Sequence, residues 1–310
     1  MKNVGKLLRG FEKFRKVEKY YLYKMNVYYS YQNCWNYAFS LPKRMEVEEM
    51  KNNIITLCGA TPEIFWLNFT SKFLSPLDYS QICQKLDKYL KKNCLVPYLT
   101  NQVSFYGLTF QIEPGVFVPQ KETEILVEKV LTKASQFWKR KKNFRVLDIG
   151  TGCGNIVVSL AKNKPWWSFK AVDINPQALK IAQLNAKIHQ LNNIEFIQSD
   201  LFTNLNQNEK FDILVANPPY VNFKEYKNLS EEVKKQPKNA LVAKQNGYFF
   251  YTSIFQQSPL FLAKKSLLVV ELGYQSKEKI VKLIIENFPN AKVSIFSDLS
   301  HHSRVIVIKI

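Results

Sequence analysis

The sequence predicts an α/β domain built on a mostly parallel sheet with helices on both faces, preceded by a helical bundle and a β-hairpin. Three observations predict it. From residue 143 onward, apolar runs of strand length alternate with segments of helical period. Four consecutive strands end in a glycine-rich loop, Asp173, Asp200 and Asn217, as strands do where open sheets bind ligands. Between residues 46 and 96 only the helical period is present.

Taken in order, residues 1–45 read as a basic, tyrosine-rich extension. Lys2, Lys6, Arg9, Lys13, Arg15, Lys16, Lys19 and Lys24 stand against only Glu12 and Glu18, and tyrosines cluster from Tyr20 to Tyr31. Leu7, Leu8, Phe11 and Phe14 recur at helical spacing, so a basic amphipathic helix packed on the next segment is expected there. Residues 46–96 predict a bundle. Met50, Ile54 and Leu57 share one helix face, Gly59-Ala60-Thr61-Pro62 is a stop followed by a start, and Ile82, Leu86 and Leu90 mark a second apolar stripe. A bundle of this size usually presents a binding face. Pro97 is expected to break the pattern and to open a hairpin linker over 97–121. There Val103–Ile112 alternates around Gly107, and Glu113-Pro114-Gly115 makes a turn.

The α/β domain is expected over 122–310. Thr123 or Glu122 is positioned to cap the helix carrying Ile125, Leu126, Val130 and Leu131. Strands are expected at Phe144–Asp148, Phe169–Asp173, Ile194–Gln198, Phe211–Ala216, Ser266–Glu271, Ala291–Phe296 and Ser303–Ile310. Helices are expected at 155–162, Pro176–His189, Tyr248–Leu262 and Lys277–Asn287. The last two strands suit an antiparallel hairpin at the sheet edge.

Composition excludes several classes. The 46% hydrophobic and 22% charged content is that of a globular protein, and no apolar run approaches membrane-spanning length. The start is basic but lacks the apolar core of a secretory signal. Five cysteines form no C-x-x-C pair and are odd in number, which fits free cytosolic thiols better than disulfides. The three histidines have no metal-ligand spacing, so no metal is expected. A net charge of +19 suits an anionic partner. Yet only six of the 44 basic residues are arginine in a chain rich in Lys, Asn, Ile, Phe and Tyr. That is the composition of an AT-rich genome, so the charge specifies no partner.

Two stretches carry chemistry. Asp148-Ile-Gly150-Thr-Gly152-Cys-Gly154 joins the first strand to its helix, where glycines admit close backbone approach and the helix start offers free N–H groups. Val157 stands where a dinucleotide fingerprint needs its third glycine, which argues against a nicotinamide dehydrogenase. Asp173 ends the next strand, where a carboxylate can accept both hydroxyls of a ribose, and Asp200 ends the third, where it can face an adenine amino group. The second stretch is Asn217-Pro218-Pro219-Tyr220, which ends a strand buried on both faces. Two prolines make a stiff turn without N–H donors, so its carbonyls face outward. With the Asn217 side chain and the flat Tyr220 ring, this corner can accept both hydrogens of a planar –NH2 group and sandwich the plane behind it.

These residues carry a resemblance. From about residue 50 to its end the chain resembles HemK/PrmC-type protein-(glutamine-N5) methyltransferases, the release factor glutamine methyltransferases. The matching motifs are Pro97-Tyr98, Phe105–Leu108, Val118–Glu124, Asp148–Gly154, Asp173, Asp200, Asn217–Tyr220, Pro237–Leu241, Asn246-Gly247, Glu271–Gln275 and Asp298 with Arg304. The resemblance implies a Rossmann-like class I S-adenosylmethionine-dependent methyltransferase domain, with a seven-stranded sheet whose last strands are antiparallel. It implies S-adenosyl-L-methionine held by Gly150, Thr151, Gly152, Cys153, Gly154, Asp173, Asp200, Leu201, Asn217 and Thr123. Asn217, Pro218 and Tyr220 would be catalytic, and Pro219 would join them in holding the substrate.

The implied substrate is the glutamine in the Gly-Gly-Gln motif of class-1 peptide chain release factors, gripped elsewhere by the bundle. A cytoplasmic monomer without stable nucleic-acid or membrane binding follows from the same resemblance. Four positions depart from the pattern: Gln120-Lys121 replace Arg-Pro, Gln236 replaces Glu, and Leu201 replaces a bulky aromatic. The main alternative is a nucleic-acid amino-methyltransferase, whose flipped adenine or guanine would stack on Tyr220. The bundle, hairpin and Glu122-Thr123-Glu124 favour the protein-modifying family. A catalytically silent binding module would have no use for an intact Asp173 and Asn217–Tyr220.

Overall fold

The computed structural model describes residues 29–41, 47–70, 74–138, 141–273 and 277–310. The amphipathic helix expected around Leu7–Phe14 lies outside the described residues. The chain divides into two units, Met1–Thr100 and Asn101–Ile310.

Within the first unit, helices α1 (Tyr31–Ser40), α2 (Val47–Leu57), α3 (Pro62–Leu67), α4 (Pro76–Lys92) and α5 (Val96–Thr100) surround one core. Met50, Ile54, Phe65 and Leu86 are fully buried in it, so the stripes seen in sequence are its inward faces. Thr61 and Ser75 cap α3 and α4 through their hydroxyls, and Pro62 and Pro76 occupy the first turns, where a missing N–H removes no helical bond. Pro97 works the same way. It was expected to end the helical pattern, but it sits in the first turn of α5, so the bundle runs on to Thr100.

The second unit opens with the hairpin of β1 (Gln102–Phe105) and β2 (Leu108–Gln111). Tyr106 (φ 49°) and Gly107 (φ 72°) give the doubly left-handed turn whose twist matches paired strands. Phe105 and Phe110 are buried beside Leu126 and Val130 of α6 (Glu124–Phe137), so the hairpin is part of the α/β core.

Seven strands form the main sheet in the order β5 (Ile194–Gln198), β4 (Ser168–Asp173), β3 (Arg145–Ile149), β6 (Phe211–Ala216), β7 (Leu262–Glu271), β9 (Ser303–Lys309), β8 (Lys292–Ser297). The strands β3 to β7 pair in parallel, and β9 runs antiparallel to both β7 and β8. The final hairpin is present, with β9 on its inner side. Val305 to Ile308 are buried on both faces, whereas β8 stays half-exposed and takes the edge. The crossovers include α7 (Asn155–Asn163), α8 (Pro176–Ile188), α11 (Phe249–Gln257) and α12 (Lys277–Asn287). The helix expected to reach Leu262 stops at Gln257, because Pro259 follows and a short 3₁₀ turn takes over. Strand β7 therefore begins at Leu262, four residues before the expected Ser266. Two short helices in the β6–β7 connection, α9 (Phe223–Asn228) and α10 (Lys238–Leu241), were not legible in the periodicity.

Candidate active site

Strand β3 lies between β4 and β6, so the connections leave it in opposite directions at its carboxyl end. Such a switch point opens a crevice at the strand ends. Ile149 pairs with Val172 on one side and Ala216 on the other, so Gly150, Asp173 and Asn217 leave the sheet at one level. A cavity of about 170 Å³ lies there. Its walls are Gly115–Phe117, Ile149–Gly152, Asp173–Asn175, Ser199–Leu201, Asn217–Val221 and Asn239–Leu241, with Thr123 and Phe250 among the remaining lining residues.

The glycine loop is shaped by its backbone. Gly150 (φ 70°) and Gly152 (φ 57°) are left-handed, and a Cβ added at either would touch nothing within 4 Å. They are glycines for conformation and for the bare face they turn to the cavity. The Gly150 and Thr151 N–H groups donate to the Val172 carbonyl, both at 2.9 Å. Asp173 accepts from the Gly152 N–H through Oδ2 and from the Asn175 N–H through Oδ1, each at 2.8 Å. One donor per oxygen fixes the carboxylate and leaves it lone pairs to spare. Burial raises its pKa above the usual carboxylate range. Asp200 lines the opposite wall, exposed, and Leu201 beside it is left-handed (φ 50°).

Two residues expected at the cofactor lie behind this wall. Cys153 is buried with its Sγ against Asn155 Oδ1 at 3.8 Å, burial pushes its thiol up to about 12, and it does not line the cavity. Gly154 does not line it either. Its absent Cβ allows α7 to approach Ala182, 3.1 Å from where that carbon would sit. Behind the loop, Asp148 is fully buried. Its Oδ2 accepts from Thr151 Oγ1 at 2.7 Å, its Oδ1 has no partner among the described residues, and burial pushes it up to about 7.

The double-proline corner follows β6 directly. Asn217 Nδ2 donates to Thr123 Oγ1 at 3.1 Å, and the Thr123 hydroxyl donates to Glu271 Oε2 at 2.6 Å. The expected capping role of Thr123 is thus corrected. No side-chain cap closes α6, and the hydroxyl is spent inward on Asn217 and Glu271. Among the described residues none donates to Asn217 Oδ1 or to the Pro218 carbonyl. Tyr220 packs its ring on the core beneath the cavity. Burial beside Glu271 pushes its phenol up to about 12, and the Arg304 charge nearby draws it back. Arg304 is itself held by Asp298 through Nε at 3.2 Å and Nη2 at 2.9 Å. Asp298 thereby holds the Arg304 charge beside the Tyr220 phenol.

Other supports escaped the sequence reading. Asn185, fully buried on α8, bonds both backbone groups of Gln111 and the Cys153 carbonyl, so it ties the hairpin to the glycine loop. Gln236, one of the departures, accepts from the Val118 N–H at 3.0 Å. A neutral amide supplies the acceptor there without burying a charge. The turn Gln245-Asn246-Gly247 is left-handed at all three residues, and a Cβ on Gly247 would lie 2.3 Å from the Tyr220 carbonyl oxygen. Only the Asn-Gly pair hinted at this turn. Gly247→Ala is expected to destabilise the protein by about 2–4 kcal/mol through strain and overpacking. Chemical denaturation checks this, and unchanged stability would show that the turn yields freely.

Fold and site together define a class I methyltransferase. A family model described as Methyltransferase small domain matches residues 107–265. The catalytic domain of hMettl16 in complex with a MAT2A 3'UTR hairpin superposes with a TM-score of 0.54 at 15% identity, over 82% of this chain and 91% of that one. At that identity the likeness concerns the fold alone. The release factor glutamine methyltransferase of Lactococcus lactis is 34% identical over 248 residues, 80% of this chain and 88% of its own. That of Fusobacterium nucleatum is 34% identical over 240 residues, 77% of this chain, and the match spans 66% of the relative's length. The chain belongs to the release factor glutamine methyltransferase family.

Proposed function

We propose that this methyltransferase uses S-adenosyl-L-methionine to methylate the side-chain nitrogen of the Gly-Gly-Gln glutamine in a class-1 release factor. The carrying observation is the orientation of Asn217. Its amino group is engaged by Thr123, and its carbonyl oxygen is left without a protein donor beside the Pro218 carbonyl. Two acceptors on a proline-stiffened corner suit the two hydrogens of a primary carboxamide.

The cavity's donor set fits the cofactor. Asp173 presents two oriented oxygens for a ribose diol, Asp200 and Leu201 flank the place for an adenine, and Gly150–Gly152 leave backbone space beside them. When bound, the cofactor supplies an electrophilic methyl group on a sulfonium. The protein's task is alignment, because an amide lone pair is delocalised and weakly nucleophilic. Asn217 Oδ1 and the Pro218 carbonyl accept the two N–H groups, and Tyr220 supports the plane. Both acceptors strengthen their bonds as positive charge develops on the nitrogen, which favours the transition state over the ground state. Alignment of this kind supplies roughly 7–11 kcal/mol. The bundle of α1–α5 would grip the release factor away from the reacting loop.

Mass spectrometry of the glutamine-bearing peptide, from release factor incubated with enzyme and S-adenosylmethionine, tests the reading. A gain of one methyl on the glutamine is expected. Labelled methyl found instead in total RNA or DNA would overturn it in favour of an amino-methyltransferase of nucleic acid.

A further inference from the structure

The carboxamide of Asn217 fits its site in two orientations related by a half-turn, and only one leaves an oxygen for a substrate –NH2. We propose that Glu271, acting through Thr123, is the positioning residue that selects the productive orientation. The inference rests on the acceptor role proposed for Asn217.

Glu271 ends β7 and is 1% exposed. It stands 148 residues from Thr123 in sequence, yet the two side chains meet at 2.6 Å. An ionised carboxylate only accepts hydrogen bonds. It takes the Thr123 hydroxyl hydrogen at 2.6 Å. With its hydrogen committed, Thr123 Oγ1 can only accept, and it does so from Asn217 Nδ2 at 3.1 Å. The amino end of Asn217 is thereby held inward, and its oxygen faces the cavity.

A protonated Glu271 reverses this logic. Its O–H becomes a donor, and a donor at that point favours Asn217 with the oxygen inward and the amino group outward. Two N–H groups would then confront the substrate's own –NH2. Burial raises the pKa of Glu271 to about 7, drawn back by the Thr123 hydrogen bond and by Arg304 of β9. The remaining groups facing it are Glu122, Asn217, Tyr220 and Tyr251 of α11, whose hydroxyl donates to the Glu271 carbonyl at 3.0 Å. Glu122 opposes ionisation and Arg304 favours it. Turnover should therefore be full above the Glu271 pKa and fall as pH drops through it.

The test compares the full chain with Thr123→Val, Thr123→Ser and Glu271→Gln. Thr123→Val should lower kcat roughly 10²-fold by misaligning the acceptor, with retention of the fold checked by circular dichroism. Thr123→Ser, which restores the hydroxyl, should recover most of the rate. Glu271→Gln, which cannot ionise, should lose the acid limb of the kcat profile near pH 7, although Asp148 still titrates in that range. Independently of turnover, the Asn217 side-chain NH2 resonances, identified by their absence in Asn217→Ala, should shift with pH in the wild type and stay fixed in Glu271→Gln. Wild-type kcat in Thr123→Val, or Asn217 NH2 resonances that still move with pH in Glu271→Gln, would overturn the positioning role while leaving the glutamine reading intact. Failure of the wild type to methylate release factor would sink that reading instead. The NH2 resonances would still decide the relay.

Discussion

Asn217→Ala is expected to lower single-turnover methylation by about 10²–10³-fold while S-adenosylhomocysteine binds within about threefold of wild type. The reasoning starts from what the side chain touches. Asn217 leaves β6 level with the glycine loop, and its amino group is tied to Thr123. Alanine removes one of the two acceptors proposed for the substrate amide and the only one that the Thr123–Glu271 pair orients. The Pro218 carbonyl remains, so the amide can still bind, but without a fixed rotation about its C–N axis. The proposed ribose and adenine contacts at Asp173, Asp200 and Leu201 are untouched, so cofactor affinity should hold. Calorimetry and quenched-flow methylation of the glutamine peptide separate the two effects. Undiminished single-turnover rate would remove Asn217 from the mechanism.

The second large effect is expected at Asp173. Asp173→Ala should weaken S-adenosylhomocysteine binding by about 10²-fold or more, since hydrogen bonds to a charged group contribute roughly 1.5–3 kcal/mol each. The carboxylate has two duties. It holds the Gly152 N–H and the Asn175 N–H, at 2.8 Å each, and offers its remaining lone pairs to the cavity. Its loss would loosen the glycine loop and remove the diol acceptor together. Asp173→Asn should not rescue, because one amide end would point N–H groups at a backbone donor. At saturating cofactor, turnover should return towards wild type, since the double-proline corner is untouched. Equal affinities by calorimetry would refute the assignment.

Much of this architecture was legible in the linear pattern because the forces concerned act over short distances. Apolar runs such as Ile213–Ala216 could only be buried on both faces, and all four are. Gly150 and Gly152 marked a left-handed loop, and Pro218-Pro219 marked a strand end. The misreadings were also local in origin. Pro97 was taken as a breaker when it begins a helix, and Pro259 was passed over when it ends one. Gln236 illustrates a different limit. The sequence showed only that it departs from the family pattern, whereas the fold shows its amide oxygen accepting from the Val118 N–H.

By itself the sequence determined the α/β order, the four strand ends that converge on a cleft, and the double-proline corner, because periodicity and turn stereochemistry are properties of neighbours. Only the tertiary structure decided which way Asn217 points. That choice depends on Thr123 and Glu271, which the chain keeps 94 and 54 residues away and the sheet brings within hydrogen-bonding distance. Hydrogen bonds have no reach along a sequence. They exist only once packing has brought donor to acceptor and excluded the water that would compete.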